Sequence, residues 1–212
     1  MIFRDRKDAG ERLAKALKKY QSQGVLVLGI PKGGVEVGYE VAKFLNADFS
    51  ILVSRKLPFP DNPEFGFGAI SEDGSRFIIS EYEEQLPEGA LEDIIREQEA
   101  EIRRRITVLR GGKPLPEIKG RIVILVDDGI AMGSTIQASI LLCKHKKAKK
   151  IIVASPVSGE KMEKELAGFA DEVVILEKPV FFNAVAQAYE HWYDVPDKEV
   201  VNILEKAVKK GG

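Results

Sequence analysis

Apolar runs that fail to alternate constrain this chain more than any other feature. Val25, Leu26, Val27, Leu28, Gly29 and Ile30 follow one another without a polar break, and residues 122–126 and 151–154 repeat the pattern. A strand with one solvated face alternates apolar and polar residues, whereas a strand covered on both faces does not. The runs therefore predict a parallel sheet buried between helical layers. Segments of helical period separate them. These are residues 10–20, with Leu13, Ala16, Leu17 and Tyr20 on one face; 35–45; 87–109, closed by Gly111, Gly112 and Pro114; 134–147, with Ile136, Ile140 and Cys143 on one face; 160–169; and 198–209. Strands are expected at 25–30, 49–53, 121–126, 151–154 and 172–176. Strands alternating with helices give an α/β class, a mostly parallel twisted sheet with helices on both faces. No repeat or linker divides residues 1–212, which read as a single domain.

Two segments fall outside this pattern. Residues 55–74 carry Pro58, Pro60 and Pro63 with several glycines and lose all periodicity, so they read as a flexible loop able to close over a substrate. Within it, residues 66–70 and 76–80 flank Glu72, Asp73, Gly74 and Ser75 as a hairpin would. Asp61 and Glu64 are carboxylates of this loop, better explained as solvated charges than as a catalytic base. Residues 178–193 are aromatic-rich and read as a small hood. Phe181 and Phe182 are its candidates for stacking a planar ligand ring, with Tyr189 and Trp192 shared between hood and core.

Charge narrows the function. Thirty-two Lys and Arg against 33 Asp and Glu leave a formal net charge of -1, which speaks against a nucleic-acid-coating or membrane-surface role. No run approaches the ~20 apolar residues that span a bilayer, and residues 1–6 carry no signal-like stretch, so a cytoplasmic location is expected. Cys143 is the one cysteine, and His145 and His191 are too few for a zinc site; no metal ligand is assigned.

Chemistry concentrates after the strand 121–126, where Asp127 and Asp128 lead into Gly129, Ile130, Ala131, Met132, Gly133, Ser134 and Thr135. Two acids at the carboxyl end of a buried strand stand where open α/β sheets bind ligands. The two glycines allow close backbone approach, and the hydroxyls of Ser134 and Thr135 meet the start of a helix, a ready anion site. A Walker A loop would need a lysine where Gly133 stands, and the dinucleotide spacing of glycines is absent. A plain strand-to-helix turn would not call for two acids, two glycines and two hydroxyls in nine residues.

This loop resembles the 5-phosphoribosyl-1-pyrophosphate (PRPP) signature of type I phosphoribosyltransferases, departing from it at Met132, where a threonine is usual. Residues 29–34, with Lys32, Gly33 and Gly34, resemble the pyrophosphate loop of that family, and Arg55 and Lys56 its basic pair after the next strand. Over nearly its whole length the chain is similar to a group of poorly characterised microbial members that share Arg110, Gly111 and Gly112. The resemblance implies a type I fold with hood and flexible loop. It implies a 5′-phosphate on residues 129–135, Asp127 and Asp128 facing the ribose hydroxyls, and Lys32, Arg55 and Lys56 with Mg²⁺ around the pyrophosphate. The implied activity is Mg²⁺-dependent transfer of ribose 5-phosphate from PRPP to a nitrogenous acceptor of the nucleobase class, within nucleotide metabolism. Homodimers are common in the family. A non-catalytic PRPP-binding regulator is the alternative.

Overall fold

The computed structural model describes residues 2–208. Lys209, the expected end of the last helix, lies outside the described residues, as does the Glu64 side chain. The elements run α1 (Arg6–Ala16), β1 (Leu26–Gly29), α2 (Gly33–Leu45), β2 (Asp48–Ile51), β3 (Ser54–Phe59), β4 (Asn62–Ser71), β5 (Arg76–Ile78), α3 (Ser80–Glu83), α4 (Ala90–Arg110), β6 (Ile122–Val126), α5 (Ser134–His145), β7 (Lys150–Val157), α6 (Glu160–Leu166), β8 (Glu172–Glu177) and α7 (Asp197–Val208).

The expected buried sheet is present: five parallel strands in the order β2-β1-β6-β7-β8. Period-two geometry sorts each apolar run onto both faces. Leu26, Leu28, Val123 and Leu125 pack with Ile136, Ile140 and Cys143 of α5. Val25, Val27, Ile124 and Val126 pack with Leu13 of α1, Leu17 just beyond it, and Val37 and Val41 of α2. Both faces are thus covered by helices, which is why the runs do not alternate. Burial pushes the Cys143 thiol up to about 12, so it serves as packing and not as a nucleophile.

Helix α1 starts four residues earlier than its apolar pattern suggests. Asp5 caps it by accepting from the Asp8 amide at 2.7 Å, which draws Arg6 into the first turn. Gly111, in the left-handed region at φ 62°, ends α4 as expected. Arg110, on the last turn of α4, is buried against Glu72 at 3.0 Å and donates to the Ile51 carbonyl at 3.0 Å, tying α4 to β2 and the β4–β5 turn.

The largest departure is at residues 55–74. They form no loose loop but most of a second, antiparallel sheet in the order β3-β4-β5. The expected β4–β5 hairpin is there, with Ala69 opposite Phe77. The prolines and glycines that erased the strand signal accompany irregular pairing, with register shifts on either side of Pro58. Ser54 Oγ lies 2.8 Å from Ser71 Oγ and 2.9 Å from Ser139 Oγ, which fixes this sheet to the flank of α5. The small sheet therefore overlooks the loop that precedes α5.

Candidate active site

Strand order alone locates the crevice. After β1 the chain turns to β2 on one side, and after β6 it turns to β7 on the other, so the gap between the carboxyl ends of β1 and β6 is a topological switch point. Both candidate loops leave from there. Residues 30–34 and 127–135 are held together by the Ile30 amide, which donates to the Val126 carbonyl at 2.8 Å. The Pro31–Lys32 peptide is cis.

The two acids occupy different environments. Asp127 lines a cleft of about 260 Å³, and its Oδ1 accepts from the Asp128 amide at 2.9 Å. Burial pushes the Asp127 carboxyl well above the usual carboxylate range, and the charge of Asp128 adds to the effect. Asp128 lies behind the cleft wall, where its Oδ2 accepts from Arg6 Nε at 2.8 Å in a nearly sealed ion pair. Its backbone carbonyl accepts from Tyr189 Oη at 2.6 Å. Burial, then the Asp128 charge, raises the Tyr189 phenol, which stays a neutral donor.

The rest of the cleft is the acidic loop's own backbone, residues 129–135, faced by Lys56 and Gly66 of the small sheet. Gly133 turns the chain at φ 72° as the N-cap of α5 and brings no side-chain cap. The amides of Ser134, Thr135 and Ile136 consequently lack intrahelical acceptors, and Gln137 is the first to bond back, to Gly133. Ser134 and Thr135 line the cleft, so their amides and the positive helix end stand beside Lys56. The Ile130 amide is committed to the Val157 carbonyl at 3.0 Å, so the expected cradle of seven amides is smaller than its sequence span.

This arrangement of acid pair, anion-binding turn and opposing basic strand agrees with a domain-level match: residues 3–191 fit the phosphoribosyl transferase domain. The chain belongs to the phosphoribosyl transferase family. Rv0571c of Mycobacterium tuberculosis H37Rv, provisionally named a phosphoribosyl transferase, is 41% identical over 208 residues, covering 97% of this chain and 47% of that protein. MT0597 of M. tuberculosis CDC 1551, named the same way, gives the same figures. The chain thus spans about half the length of the curated relatives it matches. The crystal structure of TT1426 from Thermus thermophilus superposes with a TM-score of 0.82 at 35% identity, covering 97% of this chain and 99% of that one.

Within this phosphoribosyl transferase fold, the residues expected from sequence divide. Gly33 and Gly34 press against the acids: a Cβ on Gly33 would fall 1.7 Å from Asp128 Oδ2, and one on Gly34 2.6 Å from the Val126 carbonyl. Lys32 caps α2 next to them and reaches Asp197 at 3.7 Å. Arg55 and Lys56 are separated by strand alternation. Lys56 faces the cleft, whereas Arg55 turns to α4, where Nε donates to Gln98 Oε1 at 3.1 Å and burial lowers its basicity. Met132 lies open at the cleft, 43% exposed. Phe181 projects into solvent at 88% exposure, and Phe182 packs onto the cluster of Phe3, Ala9 and Tyr189; neither lines the cleft. Val185, a hood residue, covers Gly129 with its methyls. Asp61 is exposed in the β3–β4 turn.

Sequence reading missed Arg6 and Tyr189 as partners of Asp128. The helical pattern places Arg6 before α1, and only the capping potential of Asp5, with Asp8 in the first turn, signals the earlier start.

Proposed function

We propose that this protein transfers ribose 5-phosphate from PRPP to a ring nitrogen of a nucleobase-class acceptor, acting as one unit over residues 1–212. The observation that carries the reading is the open first turn of α5 sharing one cleft with Asp127, with Asp128 paired to Arg6 just behind it. The 5′-phosphate fits the amides and hydroxyls of Ser134 and Thr135. Asp127 accepts from the ribose hydroxyls, and the charges of Asp127 and, from behind the cleft wall, Asp128 stabilise positive charge at the anomeric carbon. The acceptor nitrogen forms a bond to that carbon as the carbon–oxygen bond to pyrophosphate breaks; its electron pair leaves with pyrophosphate, and the acceptor's proton passes to solvent. Lys56 and Lys32 supply positive charge on the leaving side.

Magnesium fits this donor set as an ion carried by substrate. Among the described residues no group of three or more His, Cys, Asp or Glu is placed to cage a metal. Mg²⁺ characteristically keeps water and phosphate ligands and needs only one or two carboxylates. Asp127 is the carboxylate at hand, and the ion would neutralise charge on the departing pyrophosphate.

The test is pyrophosphate release from PRPP and Mg²⁺ with a panel of purine and pyrimidine bases. Base-dependent release supports transfer. PRPP binding without turnover on any base would favour a regulatory PRPP-binding protein, the reading that the thioether of Met132 in place of a hydroxyl recommends. No PRPP binding at all would overturn both.

The split between Arg55 and Lys56 yields a sharper expectation. Lys56→Ala should raise the KM for PRPP about tenfold, the size of one charge-assisted contact. Arg55→Ala should stay within about twofold of wild type. Initial-rate titrations with PRPP check both, and equal effects would remove the assignment of Lys56.

A further inference from the structure

Arg6 is 3% exposed in the first turn of α1, where helix formation itself calls for no charge. Its guanidinium joins three parts of the molecule. Nε donates to Asp128 Oδ2 at 2.8 Å, Nη1 donates to the Tyr193 carbonyl at 2.9 Å, and the guanidinium carbon lies 4.1 Å from the centre of the Trp192 ring. The same hood segment is laced to the chain just before Arg6. The amides of Ile2 and Phe3 donate to the Ala188 carbonyl at 3.0 and 2.9 Å, and those of Glu190 and His191 donate to the carbonyls of Phe3 and Arg4 at 2.9 Å. Tyr189, from that hood, holds the Asp128 carbonyl. Asp128 is therefore gripped at its carboxylate by Arg6 and at its backbone by the residues Arg6 organises.

A planar fork can donate in its plane to a carboxylate and a carbonyl while its face stacks on an indole; an ammonium cannot meet all three demands. We propose that Arg6 is a positioning residue for the sugar site, fixing the Asp128 carboxylate and coupling it to the hood so that acid and hood hold one geometry. The inference rests on the PRPP reading above. It makes hood segment 188–193 part of the sugar site's support.

A double-mutant cycle separates this role from a merely structural ion pair. PRPP dissociation constants are measured by calorimetry, with Mg²⁺, for the full chain as wild type, Arg6→Gln, Asp128→Asn and the double variant. If Arg6 acts through Asp128, Arg6→Gln weakens PRPP about tenfold in the wild-type background and less than about twofold in the Asp128→Asn background. Equal weakening in both backgrounds, or none in either, overturns the assignment. Should Arg6→Gln fail to fold, Arg6→Lys keeps the charge but loses the fork. It is expected to weaken PRPP binding about threefold or more while circular dichroism stays native; unchanged binding by a folded Arg6→Lys overturns the proposal equally. Wild-type protein that binds no PRPP brings down the underlying reading, and this inference with it. Tight wild-type binding with an indifferent Arg6 removes this inference alone.

Discussion

Gly34→Ala is expected to lower pyrophosphate release more than about 100-fold and Tm by several degrees, while Gly159→Ala leaves both close to wild type. Gly34 lies in the first turn of α2, where that helix crosses the end of β6. An added Cβ would lie 2.6 Å from the Val126 carbonyl oxygen and 2.9 Å from the Asp127 Cα. Both are backbone atoms at the end of a central strand, so no side chain can swing aside. Overpacking of this kind costs about 1–3 kcal/mol, and in a chain of this size each kcal/mol lowers Tm by about 2–4 °C. The larger loss is catalytic, because the atoms that must retreat carry Asp127, and a displacement of about 1 Å at a reacting site can cost two orders of magnitude. Gly159 is the control: it precedes a helix in an extended conformation, and nothing lies within 4 Å of an added Cβ. Thermal melts and the pyrophosphate assay on the two variants decide the matter. A Gly34→Ala protein with wild-type activity would mean that the two loops do not depend on this contact.

The same geometry explains what could be read from residues alone. The central sheet was legible because burial on both faces writes itself as unbroken apolar runs, as at Val123, Ile124 and Leu125. The acidic loop was legible because its chemistry is local, with acids, glycines and hydroxyls adjacent in sequence. The small sheet was not. Pro58 and the neighbouring glycines follow the needs of bulged pairing and close approach, such as the Lys56 stem lying against Gly66, and those needs erase the strand period. Nor could the sequence choose between Arg55 and Lys56, because that choice is made by which face of β3 meets α4. Arg6 was illegible for a different reason. Its partners Asp128 and Trp192 lie more than a hundred residues away, and a buried arginine looks like any other charge until its neighbours are known.

The adjacent acids should respond oppositely in stability to the same change while both lose activity. On the proposed mechanism, Asp127→Asn and Asp128→Asn are each expected to reduce pyrophosphate release at least about 100-fold, since each would remove charge stabilisation of the anomeric carbon. Asp127 is held above its unfolded pKa, chiefly by burial and then by the Asp128 charge. A raised carboxyl contributes stability that is fully present below the unfolded value near 3.8 and is lost as pH rises through the folded value. Above the unfolded value, folding must therefore either protonate this acid or bury its charge. Asp127→Asn keeps the shape without the charge, so its Tm should exceed that of wild type at pH 8, with the gain shrinking toward pH 4. Asp128 has the reverse role, because its carboxylate neutralises buried Arg6 at 2.8 Å. Removing one partner of a buried pair costs about 3–5 kcal/mol by stranding the other, so Asp128→Asn should melt well below wild type. Melting curves from pH 4 to 8 on both variants check the contrast. Two variants that shift Tm in the same direction at pH 8 would contradict the division of labour between a disfavoured acid at the cleft and a paired acid behind it.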